Sequence, residues 1–336
     1  MDFAMWLKAL RVIPRISEAQ WRSLDIVAKW LIATRSAVLI ITFIPAVIAG
    51  LLALRADQFD FGLWIILTIG LILAHATNNL VNDLTDSWKG VDSGDDAFRA
   101  QYGPQPIEHG LMSARQVLLY AAVTGLVALA CGLYLAFTRG GLTWLFLGLG
   151  VFFVLLYTWP LKHIGLGEVA VLIVWGPLMV GGGYYVITGQ WDWNVAIASL
   201  PYALGAATVI FGKHIDKLPG DRAKGVRTLP VLLGERNARY TAIGLMAAQY
   251  LSVLYLVLIG YFTPVMLVVF LAVFRGFLPI AARFRQPRPT ERPADWPEEG
   301  WPLYFVALGF YHNRLFGLLF IVGLVADVIL ANTLLA

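Results

Sequence analysis

The sequence predicts an all-α protein that crosses a membrane many times. Of its 336 residues, 59% are hydrophobic and 14% are charged, against about a quarter charged in a typical soluble domain. Apolar runs of the length that spans a bilayer as a helix, about 20 residues, recur from end to end. Between them, basic residues collect in alternate connections.

The elements follow in order. Residues 1–27 read as an interfacial segment, because Phe3, Trp6, Leu7 and Leu10 form a stripe at helical spacing with Lys8 and Arg11 beside it. No short apolar core with a small-residue cleavage site occurs there, which argues against a cleaved signal peptide. Nine spans are then expected, at about 28–54, 62–84, 115–137, 141–158, 167–188, 193–212, 238–260, 262–282 and 303–334. The last is long enough to break near "YHNR", 311–314. The single cysteine, Cys131, lies inside an apolar run, so neither a disulfide framework nor a thiolate metal site is expected. No composition shift marks a linker, and residues 1–336 read as one transmembrane domain.

Loop charge sets the orientation. With the N-terminus in the cytoplasm, one side carries Lys8 to Lys29, Lys89, Arg99, Arg115, Lys162, the cluster from Lys213 to Arg239, and Arg283 to Arg292. The other side has only Arg55 and Arg139. That is the positive-inside pattern. The net charge of +4 therefore belongs to loops of a multi-pass membrane protein and implies no nucleic-acid partner. The proline-rich connection over 283–302 reads as a plain connector.

Two cytoplasmic helix ends depart from the apolar pattern. In "HATNNLVNDLTDSWKGVD", 75–92, Asn79, Asn82, Asp83 and Asp86 recur at steps of three and four, which puts them on one helix face with His75 a turn earlier. Carboxylates facing lipid would cost on the order of 3 kcal/mol each, so this face must line a wet cavity inside the bundle. Lys89, Gly90 and Asp92 follow as the helix gives way. In "GKHIDKLPGDRAKGVRTLP", 212–230, Asp216 and Asp221 sit among Lys213, Lys217, Arg222, Lys224 and Arg227, and Pro219-Gly220 should end the helix between the two aspartates.

Carboxylates mixed with clustered Lys and Arg suit a metal-bridged polyanion. Mg²⁺ commonly binds through one or two carboxylates plus substrate phosphates, and basic side chains neutralise the remaining phosphate oxygens. A diphosphate held so becomes a good leaving group. Inside a bilayer its natural carrier is a prenyl diphosphate, whose departure leaves an allylic cation that aromatic faces stabilise. Tyr157, Trp159, Trp175, Tyr184, Tyr185 and Tyr202 are available for this, or serve as interfacial belt residues.

These features resemble the UbiA superfamily of intramembrane prenyltransferases. "NDLTD", 82–86, is similar to its first aspartate-rich motif, and the likeness extends over nearly the whole chain. The 1,4-dihydroxy-2-naphthoate polyprenyltransferases of menaquinone synthesis are the branch most resembled. "NNLVNDLTDSWKGVD", "IGLGEVAVLIVWGPLMVGGGYYV" (164–186) and "DRAKGVRTLPVLLGERNAR" (221–239) carry that resemblance. It implies a nine-helix UbiA-type bundle under a cytoplasmic loop cap, in a bacterial inner membrane. It also implies Mg²⁺-dependent transfer of a polyprenyl group to an aromatic quinol precursor. Asn82, Asp83, Asp86, Asp92, Asp216 and Asp221 would then ligate metal, and Asn79, Asn82, Lys89, Arg99, Lys162, Lys217 and Arg222 would hold the diphosphate. Glu168, in the "GLGE" segment, would be a base toward the acceptor or else an acid complementing a helix dipole.

Three positions depart from the family pattern. Asp216 and Asp221 are five apart rather than four, so either the loop bulges or Asp216 lies outside the ligand set. Gln105 stands where related sequences often carry an arginine, so either a cation that helps hold the substrate is missing or Arg99 replaces it. Lys162 is either a head-group cation or an ordinary interfacial anchor. Rival readings are another quinone precursor or a lipid as acceptor, a terpene cyclase on the same scaffold, and an ion-coupled transporter. The transporter fits least, because both acidic clusters lie at one membrane face rather than at the midplane.

Overall fold

The computed structural model describes residues 1–90 and 105–334, and among them every regular element is helical. Three short helices open the chain: α1 (Phe3–Arg11), α2 (Glu18–Ser23) and α3 (Ile26–Ala33). Each begins on a side chain that takes up orphan backbone N–H groups: Asp2, Ser17 in a capping box with Gln20, and Asp25. On α1, Phe3, Leu7 and Leu10 are exposed. Trp6 instead turns inward and donates its indole N–H to Asp25 at 3.0 Å.

The spans follow as α4 (Ile40–Arg55), α5 (Phe61–Trp88), α6 (Ala114–Arg139), α7 (Leu142–Leu156), α8 (Gly167–Thr188), α9 (Trp193–Asp216), then, beyond two short helices, α12 (Glu235–Leu258), α13 (Pro264–Phe284) and α14 (Phe305–Leu334). The two short ones, α10 (Leu218–Ala223) and α11 (Leu229–Leu233), sit at the end of α9. Eight of the spans are long and apolar enough to cross a membrane; α7, with 15 residues, is the short ninth. All nine expected spans are thus present as apolar helices, and the protein is a multi-pass membrane protein.

Four details differ from expectation. The first span is not continuous: Arg35 adopts the left-handed conformation (φ 54°), followed by a 3₁₀ turn over Ser36–Val38 before α4 begins. The second runs four residues past 84, to Trp88, and so carries the expected helix face through Asp86. The last span is one helix through "YHNR". His312 is buried there, and its Nε2 meets the Tyr250 hydroxyl at 3.0 Å. Within α8, a π-helical stretch over Val174–Gly181 contains Gly176 with non-helical torsions just before Pro177.

At the centre stands α9, packed against α12 and α14. Small residues let it approach. A side chain at Gly212 would place its Cβ 2.5 Å from the Phe305 carbonyl oxygen. Between α5 and α6, Gly70 and Gly125 also allow close approach, where a Cβ would lie 3.1 Å from Cys131 and 3.2 Å from Thr77. Arg55 and Arg139, the two basic residues assigned to the far side, are both absorbed by the fold. Arg55 pairs with buried Asp327 at 2.7 Å, and Arg139 donates to the terminal carbonyls of α8, to Val186 at 2.7 Å and to Ile187.

Candidate functional site

A cavity of about 1080 Å³ runs through the bundle between α5, α6, α7, α8 and α9. Its wall extends along α5 from Leu67 to Asp86, about 28 Å at 1.5 Å per residue. Most of that length is apolar, with Leu71, Gly132, Leu135, Phe146 and Gly183 among its residues. The polar groups gather at the Asp86 end.

Periodicity on α5 sets one side of this polar end. Asn78, Asn79, Asn82 and Asp86 all line the cavity. The asparagines are anchored: Asn78 donates to the Val154 carbonyl and Asn79 to the Thr34 carbonyl, each at 2.9 Å, while Asn82 accepts from the Thr158 hydroxyl at 3.1 Å. The end of α9 supplies the other side, where Lys213, His214, Lys217 and Asp221 line the same space. The two acidic clusters, some 130 residues apart in sequence, are therefore brought to one end of one cavity.

Ion pairs organise this end. The Lys162 ammonium donates to both oxygens of Asp86 at 2.8 Å. Lys217 lies 3.6 Å from Asp221. Buried Asp83 is paired with Arg35, whose left-handed backbone at the break between α3 and α4 turns its side chain into the bundle. Sequence reading passed over Arg35. An arginine inside a 27-residue apolar run was the available signal, since an ionisable residue within a span marks a functional site by default.

Several expected site residues lie elsewhere. Asp216 does not line the cavity. Its carboxylate accepts from the backbone N–H groups of Tyr304, Phe305 and Val306 at 2.9–3.1 Å and from Arg288 at 3.3 Å, so it caps α14. The connection over 283–302 is thereby more than a connector, because its Arg288 locks onto that cap. Lys89 stacks over the Trp159 ring at 3.5 Å, and Arg222 is exposed; neither lines the cavity. Asp92 and Arg99 lie outside the described residues. Of the six aromatics named, Tyr157 and Trp175 line the cavity.

Glu168 is buried at the first turn of α8 and is likewise not on the cavity wall. One of its oxygens shares a 2.5 Å hydrogen bond with His214 Nδ1, and the other accepts from the Leu229 backbone N–H at 3.3 Å. His214 itself lines the cavity, so the carboxylate fixes an imidazole that faces the cavity. Sequence reading named the acid and missed the histidine, because 46 residues separate them. His75 also lines the cavity, with Nδ1 2.7 Å from the Thr42 hydroxyl and its ring edge-on to Trp175. His163 packs on Trp159 away from the cavity, and burial pushes its imidazole down from the ordinary value.

Known proteins share this fold. A UbiA homolog from Archaeoglobus fulgidus, solved bound to GPP and Mg²⁺, superposes with a TM-score of 0.55 at 15% identity, over 88% of this chain and 99% of that one. The 1,4-dihydroxy-2-naphthoate octaprenyltransferase of Bacillus subtilis is 24% identical over 87% of this chain and 90% of its own length. The UbiA prenyltransferase domain-containing protein 1 homolog of Drosophila melanogaster is 26% identical over 66% of this chain, which spans 62% of that protein's length. The profile of the UbiA prenyltransferase family matches residues 42–309, four-fifths of the sequence, and the chain belongs to that family.

Proposed function

We propose that this protein transfers a polyprenyl group from an allylic diphosphate to an aromatic acceptor, with 1,4-dihydroxy-2-naphthoate as the acceptor and menaquinone synthesis as the setting. The observation that carries this reading is the cavity's polarity: its wall runs about 28 Å, with cations and carboxylates at one end and apolar side chains toward the other. An amphiphile with an anionic head and an isoprenoid tail matches both parts. The naphthoate assignment rests on the Bacillus relative's activity and on the three matching segments. The loop charge asymmetry favours a polar end that faces the cytoplasm, and the Bacillus relative favours a bacterial inner membrane.

The donor set fits a magnesium ion shared with substrate. Among the described residues no three His, Cys, Asp or Glu side chains gather to hold a metal by themselves. Asp86 and Asp221 both line the polar end, and two carboxylates plus phosphate oxygens make the oxygen set that Mg²⁺ takes. Bound there, the ion would neutralise charge developing on the leaving diphosphate. Asp83 supports this set from behind by holding Arg35.

The chain's own residues do the rest. Lys162, Lys213 and Lys217 face the diphosphate and stabilise it as the carbon–oxygen bond lengthens. Tyr157 and Trp175 offer ring faces to the allylic cation. His214, held by Glu168, accepts the acceptor's hydroxyl proton as the new carbon–carbon bond forms. The apolar wall keeps water from capturing the cation. Purified protein given a prenyl diphosphate and a hydroxylated naphthoate should yield a product of mass prenyl plus acceptor minus carbon dioxide and a proton. Product from benzoates or a lipid alcohol only would overturn the acceptor. Hydrocarbon formed with no acceptor would point to a cyclase.

A further inference from the structure

Four arginines in the bundle are tied down. Arg35 pairs with Asp83 and Arg55 with Asp327, Arg139 donates to the carbonyls closing α8, and Arg239 donates to the Phe284 carbonyl at 2.9 Å. Arg275 on α13 and Arg314 on α14 differ. Both are exposed on the outside of the bundle. Among the described residues, neither guanidinium meets a carboxylate, a carbonyl or a hydroxyl. Each stands nine residues from the helix end nearer the polar end of the cavity, Phe284 for α13 and Phe305 for α14, or about 13.5 Å along the axis. The rings of Phe284 and Phe305 meet at 4.6 Å, so those two ends are level. The two charges therefore share one depth, in spans that cross a hydrocarbon layer of about 15 Å half-thickness.

They also flank one groove. Gly276, next to Arg275, packs on α14: a Cβ there would lie 3.3 Å from Leu315 and 3.4 Å from His312. Arg314 adjoins Leu315. Exposed Tyr311 adjoins His312, one turn from Arg314 on the same helix face. The backbone changes at this level too, because α13 is π-helical over Val273–Phe277, a winding found mostly at functional positions. The surrounding surface is apolar, with Leu271, Phe274, Leu278 and Leu318 exposed. An arginine without a partner at such a depth is costly and marks a site. Its occupant must bring negative charge and also accept an apolar surface. A second copy in twofold contact through this groove would set arginine against arginine. A zwitterionic lipid would bring its own cation against them.

We propose that Arg275, Arg314 and Tyr311 form a site for the phosphate of an anionic phospholipid seated in the groove between α13 and α14. The arginine stems lie along the apolar surface and carry the guanidinium groups toward the head-group level. There they make paired, charge-assisted hydrogen bonds to phosphate oxygens. The Tyr311 hydroxyl donates to the same head group, and the acyl chains lie over Leu271, Phe274 and Leu318. Because the lipid binds only the folded pair of helices, it stabilises the protein by mass action. None of the three residues lines the central cavity, and the site does not rest on prenyl transfer.

The test compares thermal melting of the full-length protein in nanodiscs of phosphatidylcholine with and without phosphatidylglycerol, alongside native mass spectrometry of the retained lipid. Wild type should melt higher with phosphatidylglycerol and retain it over phosphatidylcholine by about tenfold. Arg275→Gln with Arg314→Gln should melt no lower than wild type in phosphatidylcholine, since two charges leave the hydrocarbon, yet lose both the lipid response and the preference. Arg275→Lys with Arg314→Lys should keep an intermediate preference, because ammonium retains charge without the paired geometry. Arg236→Gln with Arg285→Gln, which removes the same charge from exposed positions at helix ends, should respond as wild type does. Arg314→Gln alone serves if the double variant does not fold. No lipid preference in wild type, or a preference that survives in the Arg275/Arg314 glutamine variant, would overturn the site. So would an equal loss in the Arg236/Arg285 variant, which would reduce the effect to general surface charge. Retention of a second membrane protein in place of lipid, lost with the two arginines, would assign them to a protein carboxylate instead.

Discussion

Lys162 and Asp86 form a two-pronged ion pair at the polar end of the cavity, with both carboxylate oxygens 2.8 Å from the ammonium. Their elements are 76 residues apart, and both side chains are largely buried. Removing one partner leaves the other charge stranded, at a cost of about 3 kcal/mol. Lys162→Met should therefore lower the melting temperature in detergent. Lys162→Met with Asp86→Leu should regain it while remaining inactive. Equal melting of the single and double variants would show that the pair contributes nothing to the fold.

The Glu168–His214 pair should behave as one unit. Glu168→Gln and His214→Gln should each reduce kcat about 100-fold with little change in KM for the prenyl diphosphate. The double variant should be little worse than either single one. A rise in the diphosphate KM with kcat unchanged would move the pair to the head-group site.

For Asp216, the expected effect is on the fold. Its three backbone bonds cap α14, and loss of such a cap costs about 1–2 kcal/mol. Asp216→Ala should lower the melting temperature and leave the diphosphate KM of the folded fraction unchanged. A KM raised tenfold at unchanged stability would return Asp216 to the metal set.

Those residues show what the sequence made legible. The spans were readable because each needs a long apolar run, and even the short α7 follows that rule. The α5 half of the site was readable because Asn79, Asn82 and Asp86 share a face through local periodicity. Asp216 was not: its role is fixed by N–H groups 88–90 residues away, at the start of α14. His214 acquires its meaning only from Glu168, and Arg35 only from the backbone break that aims it inward. Spacing shows which residues share a helix face, but the packing of distant helices decides which face meets which.

The N-terminal helix has a pH-dependent latch. Backbone N–H groups of Ala28 and Asp2 donate to Asp25, and these bonds, with the Trp6 indole, hold its carboxyl at about 2, below the ordinary 3.8. A depressed carboxyl contributes stability above its unfolded value and loses it as pH falls through the folded one. Docking of α1 should thus hold at pH 4 and above and weaken toward pH 2, read as a change in Trp6 fluorescence. Asp25→Asn should remove the transition. A transition that persists in that variant belongs to another group.

The most direct test of the central claim is photolabelling with a geranylgeranyl diphosphate carrying a diazirine at the tail tip, followed by mass spectrometry of the labelled peptides. With the head between Asp86 and Lys217, the tip should mark the far end of the cavity, at residues such as Leu67, Leu135 and Phe146. Unlabelled prenyl diphosphate should suppress the labelling. Label confined to lipid-facing surfaces such as Leu251 and Phe274, unaffected by competitor, would contradict a prenyl diphosphate lying in this cavity.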